Sequence, residues 1–288
     1  MAGTEVRRTA QPLVRPMQPA DADAALALSR EAGWNQTAAD WRFMLGEGRA
    51  LGVYEPGRGW VASSLVLPLG PGLSWISMVL VAGERRRRGL GTMLLERCIA
   101  AVRGDGAVPG LDATELGRPV YLPLGFEDLY PISRWVLEGP LAGCAPSHST
   151  IRALTGSDMR AVIAFDETRS RMHRSHVLAY LRDRGPALVA EHEGRVVGYA
   201  MARPGRTAAQ IGPVVAETPE IACALLARMA EGSGRTLIDV PDAHAGLTDL
   251  LRHSGATRER GYTRMTLGRF PGLDEPGKVY ALAGPELG

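Results

Sequence analysis

The sequence predicts an α/β fold of the α+β kind: two similar domains in tandem, each a mixed, mostly antiparallel sheet flanked by helices. Three observations carry this. The chain has 288 residues, 45% of them hydrophobic, which suits two cores at about 150 residues per domain. Segments with strand alternation and with helical spacing follow one another in the same order twice. Between the two runs, Gly139, Pro140, Leu141, Ala142, Gly143, Cys144, Ala145 and Pro146 interrupt either period with turn formers. This places the domains at residues 1–142 and 143–288.

In the first half, Leu13 to Arg15 reads as a strand, and Asp21 opens a helical pattern through Ala25, Leu28 and Ala32. Val53, Trp60 to Leu67 and Leu73 to Val81 read as strands separated by Gly and Pro turns. Leu90, Leu94, Cys98 and Ala101 then recur at helical spacing beside Leu95, Ile99 and Val102, and the pattern stops at Gly104 and Gly106 before a strand ending at Leu111. The second half repeats the order. Ile151 to Leu154 is a strand, and Ser157 caps a helix to Phe165. Strands at Ala187–Ala190, Val196–Met201 and Ile211–Val215 lead to a helix over Pro219–Met229 and a strand at Leu237–Val240.

Charge excludes several function classes. The net charge is +2, with 15 Arg against 15 acids up to Ala142 and 18 basic against 16 acidic residues after it, so neither half is a basic module for nucleic acid or a membrane surface. The longest apolar run, Ile221 to Ala227, is far short of the roughly 18 residues of a membrane span. Met1 through Arg7, Arg8 and Arg15 shows no apolar secretion signal. Cys98, Cys144 and Cys223 are odd in number and lack paired or metal-type spacing. The expectation is therefore a soluble cytoplasmic protein without disulfides or zinc. His173, His176, His192, His244 and His253 are scattered without ligand spacing, so no metal is expected.

The stretch that carries chemistry is Val79, Leu80, Val81, Ala82, Gly83, Glu84, Arg85, Arg86, Arg87, Arg88, Gly89, Leu90, Gly91, Thr92. A buried strand enters a loop of arginines and glycines that opens an amphipathic helix, and free amides at a helix start favour an anion such as pyrophosphate. No Lys-Ser or Lys-Thr pair follows the glycines, which excludes a Walker loop. A dinucleotide fingerprint would use Asp112 for ribose, yet Leu94 stands where its third glycine belongs.

Arg86-x-x-Gly89-x-Gly91 after the strand Val79 to Val81 resembles the acyl-CoA-binding motif of the GNAT acyltransferase superfamily, and Tyr121, Leu122, Pro123, Leu124, Gly125, Phe126 is similar to the signature after that family's fifth strand. The whole chain looks like bacterial tandem-GNAT proteins. The resemblance implies that Val79, Leu80 and Val81 hold the pantetheine arm through main-chain groups, and that the amides of Arg86, Arg87, Arg88, Gly89, Leu90, Gly91 and Thr92 hold the pyrophosphate. It implies Tyr121 as the proton donor to the leaving thiolate. The implied cosubstrate is acetyl-CoA, attacked directly by a primary amine of a small molecule, in a monomer or homodimer. A non-catalytic acyl-CoA sensor is the alternative.

Asp112 and Glu115 follow the fifth strand as candidate bases. Cys98 falls on the buried side of its helix, as a packing residue. Trp34 and Asn35, in the loop from Gly33 to Thr37 with Asp40 and Trp41, are acceptor-side candidates together with Trp75 and Asp112. In the second half, Val215, Ala216, Glu217, Thr218, Pro219, Glu220 has carboxylates in place of the arginines and glycines, so cofactor binding there is expected to be lost. The tail Val279, Tyr280, Ala281, Leu282 through Pro285 to Gly288 reads as ordered and apolar.

Overall fold

Runs of apolar residues build the strands of both halves into one continuous sheet. In the computed structural model, residues 13–288 are described; residues 1–12, with Arg7, Arg8 and the start of the first domain's range, lie outside the described residues. In the first half, β1 (Leu13–Met17), α1 (Ala22–Glu31) and α2 (Ala38–Glu47) precede β2 (Arg49–Glu55), β3 (Gly59–Pro68) and β4 (Leu73–Val81). Then come α3 (Leu90–Gly104), β5 (Val108–Thr114), α4 (Arg118–Tyr121) and β6 (Glu127–Leu137). The second half repeats this with β7 (Thr150–Ala153), α5 (Met159–Ser170), α6 (Ser175–Arg184), β8 (Ala187–His192), β9 (Arg195–Arg203) and β10 (Ala209–Ala216). It continues with α7 (Pro219–Ala230), β11 (Thr236–Pro241), α8 (Ala245–His253), β12 (Thr257–Thr266) and a short β13 (Val279–Ala281).

The strand order is β1-β2-β3-β4-β5-β12-β6-β11-β10-β9-β8-β7, with β13 against β10. The two halves exchange their last long strands: β12 lies on β5 and β6 lies on β11, both antiparallel, and the exchanged strands pair with each other at the centre. Each exchange carries a buried ion pair between directly opposed residues. Arg264 on β12 meets Asp112 on β5 through two hydrogen bonds of 2.9 Å, and Arg134 on β6 meets Asp239 on β11 through two of 2.7 Å.

Helices α3 and α7 pack on separate apolar clusters, whereas α1, α2, α5 and α6 share one core that spans both halves. Helix α2 forms because Thr37 and Asp40 cap it reciprocally, with the Thr37 amide donating to the Asp40 carboxylate at 2.6 Å. Before α5 the corresponding cap is Thr155 with Asp158, not Ser157, which sits inside the short 3-10 turn Gly156–Asp158.

One expectation is overturned here. Cys144, in the segment joining the halves, forms a disulfide with Cys223 in the second turn of α7, 79 residues away. Spacing is silent about so distant a pair, because only the fold brings the linker across α7. Cys98 is the free cysteine and is buried.

Candidate active site

Strands β4 and β5 are parallel and pair only over Leu73–Trp75 and Val108–Gly110. Beyond Trp75 they fork. The fork is set by a bulge, where Met78 has φ +52° and the register with β3 slips between Ser63 and Leu65. Ser63 Oγ locks it by donating to the Met78 carbonyl at 2.8 Å. Past the bulge, Ala82 donates to Val61 on the β3 side. By strand alternation the main-chain groups of Val81 and Val79 therefore face the gap, while Leu80 faces β3. On the face of Trp75, Ser77 Oγ is buried without a hydrogen-bond partner among the described residues, a polar orphan at the fork that no sequence pattern flagged.

The loop from β4 to α3 forms an amide nest. Arg87 and Gly89 have φ of +60° and +75°, and Gly89, at the N-cap, permits a left-handed turn that a side chain would strain. The amides of Arg87 through Thr92 meet no acceptor among the described residues, and no side chain caps α3. Such a nest at the positive end of a helix dipole fits a diphosphate.

The arginines divide the work. Arg85 is committed to Glu55 at 2.7 Å, and these hydrogen bonds hold the Glu55 carboxyl below its ordinary range. Arg86 donates its side chain to the Val81 carbonyl at 3.1 Å and its amide to Gly83 at 3.3 Å. The expected row of free amides is thus corrected to begin at Arg87, because Arg86 closes the preceding turn. Arg87 and Arg88 are exposed, with no ion-pair partner among the described residues.

Tyr121 ends α4 on the other side of the gap. Its ring lies against Phe126 at 5.9 Å, its hydroxyl stands over Gly117 beside Thr114 Oγ1, and it shares with Val79 the cluster beneath α3. Burial pushes the phenol up to about 12, so it carries its proton at neutral pH. Burial also pushes the Cys98 thiol up, which keeps it from acting as a thiolate.

The acceptor-side candidates hold the halves together. Asp112 is not free to act as a base, because its side chain is 1% exposed and spent on Arg264. Trp75 is fully buried, donates its indole N–H to Pro285 at 2.8 Å and has the Arg264 guanidinium 4.6 Å from its ring centre. Asn35 donates to the Ala208 carbonyl at 3.0 Å and accepts from the Thr207 amide at 2.9 Å. The Trp34 carbonyl takes a hydrogen bond of 3.1 Å from Arg206. The loop of Trp34 and Asn35 is therefore an interface with the β9–β10 turn. Trp41 donates to Ser29 at 2.8 Å within the first core, and Asp40 accepts from Tyr180 at 2.8 Å and Arg203 at 2.6 Å. Glu115 stays exposed on the turn after β5.

The GNAT description fits both halves: residues 25–126 match the acetyltransferase (GNAT) family, and residues 162–281 match an acetyltransferase (GNAT) domain. The chain belongs to the GNAT acetyltransferase family. It carries two GNAT domains in tandem, and it is an N-acetyltransferase. A Bacillus subtilis protein described as an uncharacterized N-acetyltransferase, YitH, is 26% identical over 234 residues, covering 80% of this chain and 82% of that one. Among solved structures, a putative acetyltransferase from Pyrococcus horikoshii superposes with a TM-score of 0.81 at 19% identity, covering 100% and 99% of the two chains. A tandem GNAT protein from the clavulanic acid biosynthesis pathway superposes with a TM-score of 0.65 at 15% identity, covering 90% of this chain and 100% of that one. At such identities the two structures speak for the fold alone. No helix among the described residues is long and apolar enough to cross a membrane.

Proposed function

We propose that the first GNAT domain transfers an acetyl group from acetyl-CoA to a primary amine of a small molecule, within a ternary complex. The observation that carries this is the fork between β4 and β5, flanked by an uncapped amide nest on one side and a proton-bearing phenol on the other. Acetyl-CoA supplies the acyl group as a thioester. The exposed edge of Val79 and Val81 pairs with the amides of its pantetheine arm as an added strand would, and the amides of Arg87 through Thr92 neutralise its diphosphate. Holding both reactants replaces a bimolecular encounter by an oriented one. The neutral amine forms its bond to the thioester carbonyl carbon, the carbon–sulfur bond breaks, Tyr121 donates its proton to the departing thiolate, and the proton released by the acylated nitrogen passes through solvent to restore the phenol. No covalent enzyme intermediate is required, in keeping with the burial of Cys98.

The test is thiol release from acetyl-CoA across a panel of primary amines, for the parent and for Tyr121→Phe. The variant is expected to lose about 10²-fold or more in turnover while acetyl-CoA raises the melting temperature of both proteins equally. Cofactor binding without turnover on any amine would favour an acyl-CoA-binding module instead.

A further inference from the structure

The second domain has the same fork, and it is filled. Strands β10 and β11 are parallel and pair only over Ala209–Ile211 and Thr236–Ile238. Beyond Ile211 the register with β9 slips up to Val214, as it does at the bulge of β4. Glu217 donates to Val197 as Ala82 donates to Val61, so the groups of Ala216 face the second gap as those of Val81 face the first. There β13 lies along the edge, with Val214 opposite Ala281. The Ala216 amide donates to Lys278 at 3.1 Å, and Leu282 donates across to Asp239 on β11 at 2.9 Å. The chain's own residues thus stand where the first gap offers its edge to the pantetheine arm, a comparison that rests on the reading proposed above.

The slot is built for this occupant. A Cβ at Gly212 would overlap the Leu282 carbonyl, so only glycine lets the tail lie so close. His244 Nε2 bonds the Val279 carbonyl at 2.9 Å, and its ring stacks on Tyr280 at 4.3 Å. Further along, Glu286 pairs with the buried Arg203, Pro285 accepts from Trp75 of the first domain, and Arg174 donates to the Gly288 carbonyl at 2.6 Å. At the neighbouring helix start the diphosphate cradle is closed, because Thr218 Oγ1 caps α7 by accepting from the Ile221 amide and Glu220 adds a negative charge.

We infer that the second domain's gap is a strand-binding slot whose ligand is the segment Lys278–Gly288 of the same chain, and that this occupation shuts acyl-CoA out of the second domain. The slot recognises an extended peptide by main-chain pairing at an open sheet edge, with small side chains where the strands close in. It is an intramolecular receptor, and its ligand ties the second gap to Trp75 at the fork of the first.

The experiment uses the full-length folded chain carrying a protease recognition sequence in the exposed loop at Asp274–Gly277, nicked after purification. Fragment Lys278–Gly288 is expected to stay with the body through size-exclusion chromatography, and a fluorescently labelled synthetic Lys278–Gly288 peptide to exchange into it at one per chain. The peptide with Leu282→Pro lacks the N–H given to Asp239 and is expected to bind at least tenfold more weakly; since the change is in the peptide, the fold of the body is not at stake. Acetyl-CoA at a concentration that saturates its shift in melting temperature leaves the labelled peptide bound. Loss of the fragment on nicking without a fall in melting temperature would overturn the inference, as would equal affinity of the two peptides or displacement by acetyl-CoA. Peptide binding needs no acyl-CoA, so a protein that takes the peptide but shows no acetyl-CoA shift would sink the proposed function and leave the slot standing.

Discussion

Removing the carboxylate of Asp112 separates a structural from a chemical role for that residue. Asp112→Ala leaves Arg264 3% exposed and without its partner, still held 4.6 Å from the centre of the Trp75 ring. Breaking one side of such a buried pair costs about 3–5 kcal/mol. The pair fixes β12 of the second half onto β5 of the first, so the loss should lower the single unfolding transition of both halves and not split it. Arg264→Ala is expected to cost as much. The double variant Asp112→Ala, Arg264→Ala should lose clearly less than the sum, because neither charge is then stranded. Replacing both by apolar residues of similar size, Asp112→Leu with Arg264→Met, should come within about 2 kcal/mol of the parent. Urea unfolding followed by far-ultraviolet circular dichroism gives the free energies, and thiol release gives turnover of the folded protein. A loss below about 1 kcal/mol in Asp112→Ala, with turnover abolished, would refute the structural reading and return Asp112 to the role of base.

Other changes test the neighbouring assignments. Asn35→Ala strands the buried amide of Ala208 and should cost about 1–3 kcal/mol with unchanged acetyl-CoA affinity, measured by denaturation and calorimetry; lost turnover at unchanged stability would place Asn35 against the acceptor. Reduction of Cys144–Cys223, or Cys223→Ser, opens a closure of 79 residues and should lower stability by about 2–4 kcal/mol without altering the acetyl-CoA shift. Burial lowers the pKa of His176 and His244 from the ordinary 6.5, so the unfolded chain takes up their protons more readily than the folded one. The stability they contribute is present above pH 6.5 and is lost as the pH falls through their lowered values. The melting temperature should drop from pH 7 to pH 5, and His244→Asn should flatten that slope.

The start of α3 and the strand before it were legible, because a glycine turn between a buried strand and a helical apolar stripe is a local pattern. So was the repeated order of elements. The exchange of β6 and β12 was not, since pairing partners are chosen among edges that look alike in sequence, and only the opposed Arg264–Asp112 and Arg134–Asp239 pairs mark the choice. Trp34, Asn35 and Trp75 are aromatic and amide groups of a kind that suits a ligand, yet the same chemistry serves an interface, where Asn35 saturates a turn of the other half. Helix α2 is hard to read beside that loop because its cap, Thr37 with Asp40, starts at the loop's last residue. The tail's order was readable from its apolar residues. Its destination was not, because nothing local to Val279 or Ala281 names the edge of β10.

The exchange also joins the halves into one continuous sheet. Neither sheet is complete without a strand from the other, and the shared core of α1, α2, α5 and α6 closes over the tail.

Amide hydrogen exchange with and without acetyl-CoA bears most directly on where the cosubstrate sits. Protection is expected at Val79, Val81 and Arg87 through Thr92, with none gained at Val214–Ala216 or at the start of α7. Protection confined to the second domain, or a saturating shift in melting temperature with the arginine loop unprotected, would contradict the account.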